Sequence, residues 1–95
     1  MKKVYRQGDV ILEELPGYTK EYFEELGIKG SDKLEISSET GNKHILNAKV
    51  YWGEYVVVEK PTELVHPQHP PLVIETGVYR LRFVRDLALQ SRPID

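Results

Sequence analysis

Three histidines and no cysteine define the chemistry open to this chain. Two of them, His66 and His69, stand in the unit His66-Pro67-Gln68-His69, and the third, His44, closes the polar segment Glu39–His44. Proline fixes φ near the value that the second position of a type I or II turn needs, so the spacing predicts a β-turn with the two histidine Cα atoms within ~7 Å. A helix is excluded here by Pro67, Pro70 and Pro71. Each of the two histidines also precedes a proline, which pushes its backbone toward extended conformations and stiffens it. If His44 is brought alongside, three imidazoles suffice for a divalent transition metal such as zinc, iron or nickel, with one position left open. Glu39 or Glu75 could complete or orient such a site. Two other outcomes fit the same residues: a metal-free binding pocket, or a turn whose imidazoles hydrogen-bond to backbone carbonyls. A lone His-x-x-His is a weak signal. Confinement of every histidine to two short segments strengthens it.

Other residues carry lesser chemistry. Arg80, Arg82 and Arg85, with Arg6, could form an anion-binding patch, although outward arginines on a strand more often pair with glutamates such as Glu54 or Glu59 for roughly 0–1 kcal/mol each. Tyr51, Trp52 and Tyr55 surround a turn, which makes Trp52 and Tyr55 candidates for a stacking surface or subunit contact. Ser37, Ser38 and Thr40 lie near His44, but no Gly-x-Ser-x-Gly elbow supports a nucleophile, and no glycine-rich phosphate loop is present. No catalytic residue is assigned.

These groups must be positioned by one small domain. The 95 residues support a single core, with 40% hydrophobic and 29% charged residues. A net charge of -2 gives no positive field for nucleic acid or anionic lipid. No apolar run approaches the ~20 residues of a membrane span, and the start lacks a signal-peptide core, so an intracellular, cytoplasmic location is expected.

Short β-branched and aromatic runs recur with turn signals between them: Val4–Arg6, Val10–Leu15, Lys33–Ser37, His44–Leu46, Lys49–Trp52, Tyr55–Glu59, Glu63–His66, Leu72–Glu75 and Val78–Arg85. The runs flanking Gly53 make the clearest hairpin. In the last run, Tyr79, Leu81 and Phe83 share one face and Arg80 and Arg82 the other. The only helix signal is Tyr18–Gly27, with Thr19 as N-cap, a Tyr18/Phe23 staple, Gly27 as the stop, and packing through Tyr22, Phe23 and Leu26. The expectation is one all-β domain over residues 1–95, a mainly antiparallel small barrel or roll, with one short helix near 19–26.

With these residues laid out, the chain resembles a family of small uncharacterised bacterial and phage proteins. The resemblance rests on Gly8-Asp9-Val10, Glu39-Thr40-Gly41-Asn42-Lys43-His44, His66-Pro67-Gln68-His69-Pro70-Pro71 and Gly77-Val78-Tyr79-Arg80, with the strand to Arg85. It covers roughly two thirds of the chain and leaves out 18–30. The family often has a histidine where this chain has Asn42, so a four-histidine site there would be a three-histidine site here. The resemblance implies a phage or mobile-element setting and no defined activity. The expected function is therefore a non-enzymatic binding or assembly domain, with a homodimer through edge strands or the Trp52 hairpin as the expected assembly. The alternative is a metal-binding, cupin-like domain with His44, His66 and His69 as ligands, since the close through Gly77 is loosely similar to the end of a cupin motif, without its usual His-x-His.

Overall fold

The computed structural model describes residues 2–38 and 41–84. The chain forms β1 (Val4–Gln7), β2 (Val10–Glu14), α1 (Lys20–Glu25), β3 (Leu34–Ser37), β4 (Lys43–Leu46), β5 (Lys49–Tyr51), β6 (Tyr55–Val58), β7 (Thr62–His66), β8 (His69–Ile74) and β9 (Gly77–Phe83). The strands pair antiparallel in a five-stranded sheet, β1-β2-β9-β6-β5, and a four-stranded sheet, β3-β4-β7-β8. The fold is all-β with one short helix, as the alternating runs predict. It is not a closed barrel: no ladder joins the two sheets among the described residues.

Period-two alternation decides what each strand buries. Along β6, Val56 and Val58 face the four-stranded sheet and join Val10, Leu12, Leu46, Leu64, Ile74 and Tyr79 in the main core. Val57 points the other way, and with Val78 and Tyr51 it packs against Phe23 of α1. The five-stranded sheet is thus covered by its partner sheet on one face and, around Tyr51, Val57 and Val78, by the helix on the other. The expected face of β9 also holds, with Tyr79 in the main core and Leu81 and Phe83 packed against it. The buried Tyr79 hydroxyl donates to the Glu75 carbonyl at 2.6 Å.

Two elements depart from expectation for physical reasons. β8 begins at His69 rather than Leu72, and it contains Pro70 and Pro71. Proline cannot donate to a ladder, but β8 is the edge of its sheet, where a missing donor costs little. In α1 only Phe23 is buried; Tyr22 and Leu26, expected to pack, are 45% and 52% exposed. Tyr18 meets Tyr22 edge-on at 5.3 Å, and Tyr22 meets Phe23 in the same way at 5.2 Å, so the staple runs through a third ring. Thr19 caps without a side-chain hydrogen bond, and Gly27 takes the positive φ of 69° that ends the helix.

Candidate functional site

His66 and His69 are Cα partners at the end of the β7–β8 hairpin, joined through Pro67-Gln68, so the expected tight turn is present. His44 enters from the neighbouring strand β4, opposite Ile36. The three imidazoles form one cluster, with ring centroids 4.2 Å apart for His44 and His66, 4.8 Å for His66 and His69, and 6.0 Å for His44 and His69. They line a pocket of about 340 Å³, within the range of small-ligand sites. Val10, Ile36 and Phe83 supply apolar wall; Asp9, Ser37 and Ser38 supply polar groups.

The buried member that sequence reasoning missed is Gln7, at the end of β1 and 4% exposed. Its amide Nε2 donates to the carbonyls of Leu64 at 2.9 Å and Pro70 at 3.0 Å. Both amide hydrogens are then used, so Oε1 accepts from His44 Nδ1 at 2.9 Å. That bond fixes the neutral tautomer of His44 with its proton on Nδ1 and leaves Nε2 bare. His66 is set the opposite way: the Gln68 N–H donates to its Nδ1 at 3.1 Å, which places the proton on Nε2. This Nε2 is buried without a hydrogen-bond partner among the described residues. One imidazole thus offers a lone pair and its neighbour an N–H. Burial, and then the proximity of His66 and His69, hold His44 below the ordinary histidine pKa, while Asp9 pulls weakly the other way.

The turn before β2 closes on the same cluster. Gly8 has φ of 59°, and a Cβ there would lie 2.9 Å from His69 Nε2 and 3.4 Å from His44 Cε1. Only glycine accepts that backbone while letting two imidazoles come so close. Three places distant along the chain, Gly8–Val10, His44 of β4, and His66–His69, therefore meet.

Other candidates lie apart. Glu75 is exposed, just past the far end of β8 from His69, and does not line the pocket. Glu39, Thr40 and Arg85 lie outside the described residues. Arg80 Nε pairs with Glu54 at 2.8 Å and Arg82 lies 3.9 Å from Glu13, so these arginines engage carboxylates of their own sheet. Arg6 Nε donates to the Gly8 carbonyl. Trp52 is 61% exposed beside a half-buried Tyr55.

Among the described residues, no three histidine, cysteine or acidic side chains have the arrangement of a metal centre. The imidazoles are close enough, but His44 offers one uncommitted lone pair, on Nε2, and His66 offers none. His66 Nε2 carries a proton while Nδ1 accepts from Gln68, and His69 Nε2 faces Gly8. No helix among these residues is long and apolar enough to cross a membrane.

Residues 6–83 match a family described as a domain of unknown function, DUF8820. The chain belongs to this family. The matched span includes Gln7, Gly8 and all three histidines, so the pocket lies inside the family's own domain. No curated protein and no solved structure matches the chain.

Proposed function

We propose that this DUF8820 member is a small binding domain rather than an enzyme, and that its ligand seats in the three-histidine pocket. One observation carries the reading: His66 Nε2–H is buried at a residue only 3% exposed and makes no hydrogen bond among the described residues. An unsatisfied buried donor costs about 1–3 kcal/mol, and a core built only for stability would use an aliphatic side chain there. Such costs concentrate at functional sites. The bare His44 Nε2 beside it fits a ligand that both accepts and donates, such as a small amide, hydroxy compound or carboxylic acid. His69 is the half-buried ring of the three and so the one that a ligand group entering from solvent meets first. A phage or mobile-element setting, implied by the sequence resemblance, belongs to the same proposal.

A second reading places a divalent transition metal among His44, His66 and His69. It is supported by the ring separations of 4.2, 4.8 and 6.0 Å, which bracket the ~5 Å expected for imidazoles sharing one tetrahedral ion. It requires His66 to give up its contact with Gln68 and move its proton to Nδ1.

The test is a thermal-shift screen of small amides, hydroxy compounds and carboxylic acids, with elemental analysis of tag-free protein after exposure to Zn, Fe, Ni and Mn. A compound that stabilises the wild type and not His69→Ala supports the pocket; one that stabilises both equally removes it. About one metal per chain, lost in His44→Ala, would install the metal reading instead.

A further inference from the structure

The chain has one tryptophan, six tyrosines and two phenylalanines. Trp52, Tyr18, Tyr22, Tyr51, Tyr55 and Phe23 gather on the helix side of the five-stranded sheet, away from the histidine pocket. Phe23 stacks on Tyr51 at 4.8 Å and meets Tyr22 at 5.2 Å, Tyr55 at 5.7 Å and Trp52 at 6.3 Å. Tyr18 extends the network from Tyr22, and Trp52 contacts Tyr55 at 5.8 Å. Phe23 and Tyr51 are core residues. Around them Tyr18, Tyr22, Leu26 and Trp52 remain 46%, 45%, 52% and 61% exposed. Tyr22 lies on α1, Tyr18 reaches it from just before the N-cap, and Leu26 is the C-cap one turn further on. A contiguous exposed apolar surface of this kind marks an interaction site.

A second observation comes from the backbone. Trp52 has φ of 56° and is the one positive-φ residue other than glycine among the described residues. With Gly53 at 66° it forms a turn of the I′ type, whose first central position normally takes asparagine, aspartate or glycine. A bulky side chain there is strained. A residue chosen for the turn would not be tryptophan.

Charge decides among occupants. Glu21 and Glu25 flank this surface on the side of α1 away from Phe23, and neither forms an ion pair among the described residues. Glu24 and Glu59 share the ammonium of Lys20, the one cation on the helix. A second copy would set these acidic rims face to face, and a nucleic acid would be repelled. A guanidinium suits both features, because it stacks on aromatic faces and takes a carboxylate in two parallel hydrogen bonds. We propose that the surface formed by Tyr18, Tyr22, Leu26 and Trp52, rimmed by Glu21 and Glu25, docks an arginine-bearing peptide segment of a partner protein.

Trp52 is the sole tryptophan, so its emission reports occupancy directly. Full-length protein is titrated at low salt with oligoarginine, oligolysine and oligoglutamate peptides. The expected result is a saturable emission shift with oligoarginine, about tenfold weaker binding of oligolysine, and no response to oligoglutamate. Glu21→Gln/Glu25→Gln weakens binding, whereas Glu63→Gln, on the other sheet, does not. Binding of Trp52→Gly, followed by calorimetry, is lost while its melting temperature holds or rises; Tyr22→Ala, at an exposed site, serves if the glycine variant is unstable. An unmoved emission overturns the proposal, as does equal loss of binding in Glu63→Gln, which would mean diffuse attraction. An emission shift on concentrating the protein alone, with a dimer in sedimentation, overturns it in favour of self-association.

Discussion

At the residue scale, the pocket depends on two side chains that do not reach for ligands. Gln7 satisfies two carbonyls and orients His44, so Gln7→Ala removes three hydrogen bonds, two of them buried. We expect a loss of about 2–4 kcal/mol in urea unfolding, together with a change in the His44 tautomer visible in the imidazole nitrogen spectrum. An unaltered spectrum would show that His44 is oriented by something else. Gly8 acts by absence of bulk. Gly8→Ala must place a methyl 2.9 Å from His69 Nε2 and hold φ at 59°, so a destabilisation of about 1–3 kcal/mol should accompany a shift of the His69 ring signals. Neither role was legible in the sequence with its present meaning. Gly8-Asp9 reads simply as a turn, and Gln7 carries no pattern, because the carbonyls it serves lie 57 and 63 residues away.

At the scale of elements, local chemistry was readable wherever a turn or an alternation determined it. The His66–His69 turn, the hairpin around Gly53, the two faces of β9 and the Gly27 stop all follow from short-range rules. What failed were positions where the tertiary setting overrides those rules. The prolines of β8 are tolerated because the strand lies at an edge, and Tyr22 and Leu26 stay exposed because a six-residue helix buries a single side chain. That side chain therefore anchors the whole element. Phe23→Ala should cost about 3–5 kcal/mol, and amide exchange in residues 20–25 should rise well before that of β6 and β9. Equal protection across all three would show that the helix is held by its polar contacts instead.

At the scale of the molecule, the three-histidine cluster couples the fold to acidity. The folded-state pKa of His44 is depressed below 6.5 by burial and by its imidazole neighbours. The folded protein therefore binds fewer protons than the unfolded chain once pH falls below about 6.5. Stability is unaffected by this group above that value and declines as pH drops from there toward the depressed folded pKa, by at most about 1.4 kcal/mol per pH unit. Urea midpoints across this range should fall for the wild type and flatten in a variant with His44 replaced by Gln; parallel curves would assign the acid sensitivity to other groups. The all-β class and the helix were legible at this scale, whereas the division into two sheets was not, because strand order is set by contacts that no local pattern encodes.

The side-chain link between β1 and the β7–β8 hairpin also bears on how the pocket comes into being. His66 and His69 are brought together by a hairpin that closes locally, and such hairpins form within microseconds. Gln7 must instead find Leu64 and Pro70 across most of the chain, a search whose entropic cost delays distant contacts. β1 can pair with β2 through its own tight turn, but Gln7 leaves the ribosome before the Leu64 and Pro70 carbonyls exist. His44 therefore acquires its Nδ1 partner only when β1 reaches it, whereas the His66 tautomer is set within the hairpin itself.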